Sequence, residues 1–414
     1  MRPSKPYSWR NSFVHNARVL TAEAGLSARE RLAEVLPESA LPAAEEIAES
    51  SILALDGPPA AALSLAAPLR AAGAFVHCDP ERLVVVVRRG ALESCRAACR
   101  QDEAAILDEL LRAFDADRSR PARLRMRNRI LDFSAGAKVM GILNVTPDSF
   151  YDRGRHAGVD AARARAAEMV ELGAGIIDVG GQSYAEWNPR IAAQEERERV
   201  VPVVEALVRD GLGVALSIDT FKAEVADAAL AAGADAINDC SGLSDARLPG
   251  VVARHDAALV VMHLLGELNL RAQSYEYRDA LGEICAFLRE RIERALAAGV
   301  ARDSIAVDPG LEFGKEPKTD LEILERFGDL RSLGYPILFA ASRKSFIGRV
   351  FDRPAGELLI PSLASAAIGI QAGAALVRVH DIAETVQLVR MLSAVRSGVR
   401  RSLAIADKMP GTPA

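Results

Sequence analysis

The sequence predicts an α/β fold, a (β/α)8 TIM barrel preceded by a small N-terminal α/β domain. Three observations predict it. Eight short apolar runs alternate with helix-length stretches across about 280 residues, the count and span of such a barrel. Nearly every run ends in polar or conformationally permissive residues, as strands do where they open on an active site. No glycine-rich phosphate fingerprint follows the first run, which sets aside an open doubly wound sheet. A composition of 50% hydrophobic residues with only 5% aromatics suits a parallel sheet covered by helices.

Residues 1–118 read as the appendage, with Ala-rich helical patterns, one strand at Leu83–Val87 and a helix over Ala91–Phe114 that stops at the polar ADRSRP stretch. No catalytic constellation falls in it. Cys95 and Cys99 lie four apart on that helix without a second pair at zinc-ligand spacing, so they are expected to be ordinary thiols. The opening residues lack the apolar core of a signal peptide, and no run of about 18 apolar residues follows, so the expected location is the cytoplasm, with no membrane contact. A formal charge of −5 excludes a generically basic nucleic-acid binder.

Residues 119–400 carry the barrel and 401–414 a tail. Arg123, Arg125, Arg127 and Arg129 alternate with Leu124, Met126, Asn128 and Ile130, a period of two that reads as a strand with one solvated face. The barrel strands are expected at Val139–Leu143, Ile176–Val179, Val214–Ile218, Ala236–Ile237, Leu259–Met262, Ile305–Val307, Ile337–Ala340 and Leu376–Val379. Helices are expected at Ala161–Leu172, Lys222–Ala232, Leu281–Ala298 and Pro361–Ala372.

The residues that follow the strands form a pattern. Asn144, Asp178, Asp219, Asn238, Asp239, His263, Asp308, Ser342–Ser345 and Arg378–Asp381 all fall at strand ends. Any one of them is explained by a turn or a helix cap. Together they describe a cup with carboxylates and carboxamides on one side and Arg, Lys and His on the other. Carboxylates suit the donor edge of a flat heterocycle, because each accepts two parallel N–H bonds. Arg343, Lys344, Arg378 and His380 suit a polyanion such as pyrophosphate. Asn144 offers a neutral oxygen to Mg²⁺, which binds phosphates and keeps several waters. GLEFGK (Gly310–Lys315) is one residue short of a P-loop and has Glu316 where Ser or Thr is needed, so it reads as a turn that brings Phe313 to the pocket. His263 is equally compatible with a structural role and a functional one.

MGILNVTPDSF (Met140–Phe150), IIDVGGQS (Ile176–Ser183), SIDTFKAEVA (Ser217–Ala226), INDCSGL (Ile237–Leu243), Met262-His263, DPGLEFGK (Asp308–Lys315), SRKSFIG (Ser342–Gly348) and RVHD (Arg378–Asp381) follow in order. Over about residues 121–400 the chain resembles the dihydropteroate synthase family. The resemblance implies an enzyme that joins 6-hydroxymethyl-7,8-dihydropterin pyrophosphate to p-aminobenzoate, releasing pyrophosphate. It implies that Asp219, Asn238, Asp308 and Lys344 hold the pterin, with Met262 and Phe313 lining its slot. Asn144, Arg378 and His380 would hold the pyrophosphate and its Mg²⁺. Asp152, Lys344 and Asn144 would assist the chemistry. Phe150, Ser183 and Ser345 would complete the substrate site, Ser345 meeting the benzoate carboxylate. A homodimer is implied as well.

One loop departs from the family. Where the family reads Ser-Thr-Arg-Pro-Gly, this chain has Ser183-Tyr184-Ala185-Glu186, followed by Trp187-Asn188-Pro189-Arg190. Glu186 brings negative charge towards the expected site of an anionic substrate, and Arg190 is the nearby cation. Glu267-Leu268-Asn269 and Thr319-Asp320 are further departures. The alternatives are therefore a related pterin transferase with another acceptor, or a non-catalytic pterin-binding paralogue. SRKSF and RVHD argue against a corrinoid methyltransferase pterin domain.

Overall fold

The computed structural model describes residues 16–19, 51–56, 64–78, 82–118, 121–127, 129–145, 155–182, 190–266 and 275–397. In the N-terminal part, β1 (Asn16–Val19), β2 (Ser51–Asp56), β3 (Phe75–Cys78) and β4 (Arg82–Val87) form an antiparallel sheet in the order β1-β2-β4-β3. Leu53, Leu55, Leu83, Val85 and Val87 alternate onto the face that packs against α1 (Ala66–Ala71), α2 (Arg89–Ala98) and α3 (Gln101–Arg118). The expected single helix over Ala91–Phe114 is two. Cys99 is extended, and the N–H of Arg100 donates to Glu103 Oε2 at 3.0 Å, the reciprocal half of a capping box that starts a new helix.

The arginine-rich stretch is also two elements rather than one strand. β5 (Arg123–Met126) and β6 (Arg129–Asp132) pair antiparallel around a tight turn in which Arg127 has φ 53°. Arg123 and Arg129 are exposed, as expected, but Arg125 and Arg127 are half-buried. Arg127 donates to the carbonyls of Leu230 and Ala234, and Arg125 pairs with Asp256 and Asp303. Leu124, Met126 and Leu131 turn inward against Met140, Ile176, Ala215, Ala236, Ala306 and Leu376. The hairpin is thus a plug over one mouth of the barrel, held by backbone carbonyls at its rim.

The barrel strands are β7 (Lys138–Asn144), β8 (Ile176–Gly180), β9 (Ala215–Asp219), β10 (Ala236–Asp239), β11 (Ala258–Met262), β12 (Ile305–Asp308), β13 (Leu338–Phe339) and β14 (Leu376–Val379), each within a residue or two of its expected place. All pair in parallel, β14 lies beside β7, and a Val307–Ile337 bridge joins β12 to the segment leading into β13. The sheet therefore closes. Outside it run α4 (Arg155–Glu171), α5 (Ala193–Asp210), α6 (Ala223–Ala231), α7 (Leu248–Arg254), α8 (Ala280–Ala297), α9 (Pro317–Glu325), α10 (Ser345–Phe351), α11 (Leu359–Ala372) and α12 (Ile382–Ser397). The apolar layer between strands and helices is the main core.

Strand alternation sets what enters the barrel. Next to the plug the inward layer is apolar. One pleat further on it becomes Asp178, Asn238, Asp308 and Arg378, and the lumen opens into a cavity. The N-terminal part leans on the helix layer through α3, where buried Glu109 pairs with Arg112 and with Arg289 of α8.

Candidate active site

A cavity of about 860 Å³ opens at the C-terminal ends of the strands. Asn144, Asp219, Asn238, Met262, Asp308, Phe313, Lys344, Ser345, Arg378 and His380 all line it, so ten of the residues singled out in the sequence share one wall-to-wall space. Phe150, Asp152 and Ser183 lie outside the described residues, as does Tyr184–Pro189.

At the floor one guanidinium serves two acids. Arg378 Nε donates to Asp178 Oδ2 at 2.6 Å, and its Nη2 donates to Asp219 Oδ2 at 2.7 Å. Asn238 Nδ2 donates to the same Asp178 oxygen at 3.0 Å. Asp178 Oδ1 and Asp219 Oδ1 are buried and accept no bond from any described residue. Burying such acceptors is costly unless something donates to them, so they mark where donors of a ligand belong. Burial pushes the Asp219 carboxyl up to about 7, with Arg378 pulling against it. Burial opposes the charge on Arg378 too, yet the two carboxylates hold that guanidinium firmly protonated. The sequence placed Arg378 on the anion side; its nitrogens also knit the acid side together. Asp178 was read only as a strand-end residue and emerges as the hub of this floor.

Asp308 sits across the cup, 5% exposed, and Oδ1 accepts the Gly310 N–H at 2.7 Å. Burial raises its pKa, with Lys344 opposing. Gly310 has φ +67°, and a Cβ there would stand 2.1 Å from the His263 carbonyl oxygen, so only glycine lets the loop turn this tightly. Lys344 Nζ donates to the Leu311 carbonyl at 2.7 Å and lies 4.8 Å from the centre of the Phe313 ring. Burial lowers its pKa while Glu312, Asp308 and Asp320 work to keep it charged. Met262, Cys240 and Leu264 form a small apolar cluster with Phe313 beside it. Carboxylates below and an apolar, cation-bearing wall alongside make a slot for a flat polar ring.

Towards the rim lie Asn144, Ser342 and His380. The Ser342 hydroxyl is 3.1 Å from His380 Nδ1 and accepts the His380 backbone N–H at 3.2 Å. Desolvation, and then the charge of Arg378, hold the His380 imidazole below its usual range. Arg343 differs from expectation. It has φ 56° and grips both oxygens of Asp381, at 2.9 and 2.6 Å, so it ties the seventh strand-end loop to the eighth.

His263 is fully buried among Phe287 and Tyr277, and its pKa is driven well below the usual value by that burial. Lys315 Nζ lies 3.0 Å from its Nδ1 and donates to the carbonyls of Gly310 and Phe313 at 2.7 and 3.0 Å. Both residues are therefore loop staples, and GLEFGK is the turn that presents Phe313 rather than a phosphate loop. Gln182, in the strand-end motif IIDVGGQS, has a role that the motif alone does not assign. Its Oε1 accepts Lys222 Nζ at 2.8 Å, which fixes the amide orientation, because an ammonium only donates. Its Nε2 is buried on the cavity wall and donates to no described residue.

Among the described residues no group of three or more His, Cys, Asp or Glu stands ready to hold a metal. Asn144 is exposed on the cavity wall. That donor set fits an ion brought in on phosphate oxygens and water better than a resident metal.

The pterin binding enzyme family model matches residues 140–380. The chain belongs to the dihydropteroate synthase family of pterin-binding enzymes. The dihydropteroate synthase of Bacillus subtilis is 41% identical over 266 residues, which is 64% of this chain and 90% of that one. Solved dihydropteroate synthases of Xanthomonas albilineans superpose as well. The one with 4-aminobenzoic acid has a TM-score of 0.63 at 38% identity, covering 68% of this chain and all of that one. The one in complex with 7,8-dihydropteroate has a TM-score of 0.60 at 38% identity, covering 67% and 99%. The family match falls on the barrel, so the cavity belongs to the dihydropteroate synthase part of the chain.

Proposed function

We infer that this chain is a dihydropteroate synthase, a transferase that condenses 6-hydroxymethyl-7,8-dihydropterin pyrophosphate with p-aminobenzoate and releases pyrophosphate. The observation that carries the reading is the pair of unsatisfied carboxylate oxygens on Asp178 and Asp219 in a cavity shared with Asn238, Asp308 and Lys344. Pterins carry adjacent N–H donors on a flat ring, the chemistry those acceptors lack. In this reading Asp219, Asn238 and Asp308 take the pterin edge, Lys344 and Phe313 cover it, and Met262 closes the apolar side.

Asn144, Arg378 and His380 would hold the pyrophosphate. Mg²⁺ carried with that group would rest on Asn144 and offset its charge as it leaves. The residues of the chain stabilise charge separation: anions below the ring favour a cationic methylene, and cations at the rim favour the departing anion. Asp152 would support the same cation from its loop, with Phe150 and Ser183 closing the second-substrate side and Ser345 meeting the benzoate carboxylate.

The five cysteines are thiols, in keeping with a cytoplasmic enzyme. No helix among the described residues is long and apolar enough to cross a membrane. Assembly as a homodimer belongs to the same reading.

Genetic complementation tests the function. In a bacterium lacking its own dihydropteroate synthase, this chain restores growth without folate end products, and Asp308→Ala or Lys344→Ala abolishes the rescue. Failure of the expressed, folded wild-type chain to rescue would contradict the reading and favour a pterin enzyme with another acceptor, for which the Tyr184–Arg190 departure gives the motive.

A further inference from the structure

Glu312 stands on the turn after β12 with φ +71°, in the left-handed region that favours glycine. Two bonds keep it there. Its backbone N–H donates to Asp320 Oδ1 at 2.7 Å, and its own Oε1 accepts the backbone N–H of Ser345 at 2.7 Å. Asp320 is itself buried. The Glu312 side chain is half-buried, lines the cavity and acts electrostatically on Lys344. A disfavoured backbone conformation thus delivers a carboxylate onto one particular donor inside the active-site cavity. That donor belongs to the residue expected to meet the carboxylate of the second substrate.

We propose that Glu312 occupies the anchoring point of the acceptor's carboxylate, so that p-aminobenzoate binds only by displacing it and binds more weakly for that reason. The proposal rests on the reading above, in which p-aminobenzoate is seated at Ser345. Two carboxylates cannot share one N–H without strong repulsion, so an anionic acceptor must displace Glu312 before it binds. An arylamine with an uncharged para group meets no such repulsion. Thr319-Asp320, a departure noted in the sequence, is part of the same device, because Asp320 holds the Glu312 backbone in its turn.

Steady-state kinetics with p-aminobenzoate and p-aminobenzamide, on the full chain and on Glu312→Gly and Glu312→Gln, test it. Glycine suits φ +71°, so the first variant is expected to fold at least as well, and thermal unfolding checks that. Glu312→Gly lowers KM for p-aminobenzoate by at least about tenfold. Glu312→Gln, which keeps an acceptor for Ser345 but loses the charge, lowers it less. In both variants KM for p-aminobenzamide falls by less than KM for p-aminobenzoate, since an uncharged para group does not compete with the Glu312 charge. A KM for p-aminobenzoate that stays the same or rises in Glu312→Gly overturns the proposal. If the wild type turns over neither acceptor, the synthase reading has failed. The proposal is then judged by equilibrium binding of p-aminobenzoate to the chain with pterin and pyrophosphate present. Tighter binding in Glu312→Gly supports it, and unchanged or weaker binding overturns it.

Discussion

Arg378 shares its guanidinium between Asp178 and Asp219, and that sharing governs the electrostatics of the floor. Two acids against one fixed cation leave an excess negative charge in a buried place, which is why burial raises Asp219. The sign of the pH effect follows. A carboxyl whose folded pKa lies above its unfolded value stabilises the fold while protonated. That contribution is complete below about pH 4 and is lost as pH rises through about 7. Thermal unfolding between pH 4 and 8 should therefore show a declining component that Asp219→Asn removes; an identical slope in the variant would contradict it. Asp178→Ala leaves Arg378 and Asn238 without their shared acceptor. The expected cost is about 3 kcal/mol in stability, with pterin pyrophosphate affinity falling at least tenfold, about 1.4 kcal/mol, by calorimetry. His380 gives a complementary signal. Arg378 helps keep it neutral, so a bound polyanion should draw a proton onto it, visible as binding heats that vary with buffer ionisation enthalpy. Asp219, Asn238 and Asp308 were legible because they stand at strand ends. Asp178 stood in the same strand-end pattern, but its role as the hub did not, because it sits two residues before the end of β8, where the inward-facing period from Ile176 carries it to the floor. Gln182 and Glu312 were not legible in this way. The role of one depends on a lysine 40 residues away and that of the other on a backbone angle.

Among the elements, the β5–β6 hairpin separates folding from chemistry. Period-two alternation correctly announced extended structure there, but alternation is the same on either side of a two-residue turn, so one strand and a hairpin read alike. Arg123 and Arg129 are exposed, as that pattern announced, whereas Arg125 and Arg127 bond acids and carbonyls at the barrel's rim. Met126 is 1% exposed in the plug, at the mouth opposite the cavity. Met126→Ala should cost about 2–4 kcal/mol by cavity formation, read by chemical denaturation, while pterin affinity stays put. A large loss of affinity in that variant would mean the plug reaches the active site. The break between α2 and α3 had a signal as well, a Glu three residues beyond Arg100, which only its hydrogen bond distinguishes from an ordinary helical acid.

For the whole molecule, closure of eight parallel strands explains why residues spread from Asn144 to His380 share a cavity. The order of the βα units was legible throughout, because buried parallel strands read as short apolar runs and covering helices as longer amphipathic ones. The lean of the N-terminal part on α8 was not, since Glu109 looks like any helical surface acid until Arg289 is beside it. Glu109→Ala removes the acid that Arg289 pairs with at the contact, and thermal unfolding should register about 2 kcal/mol with turnover preserved. The cavity couples a pterin to an arylamine. Pyrophosphate release measured with the dihydropterin pyrophosphate and Mg²⁺, with and without p-aminobenzoate, tests it most directly. Release that depends on p-aminobenzoate and matches dihydropteroate formed mole for mole is the predicted result. Tight pterin binding with release indifferent to p-aminobenzoate would contradict it.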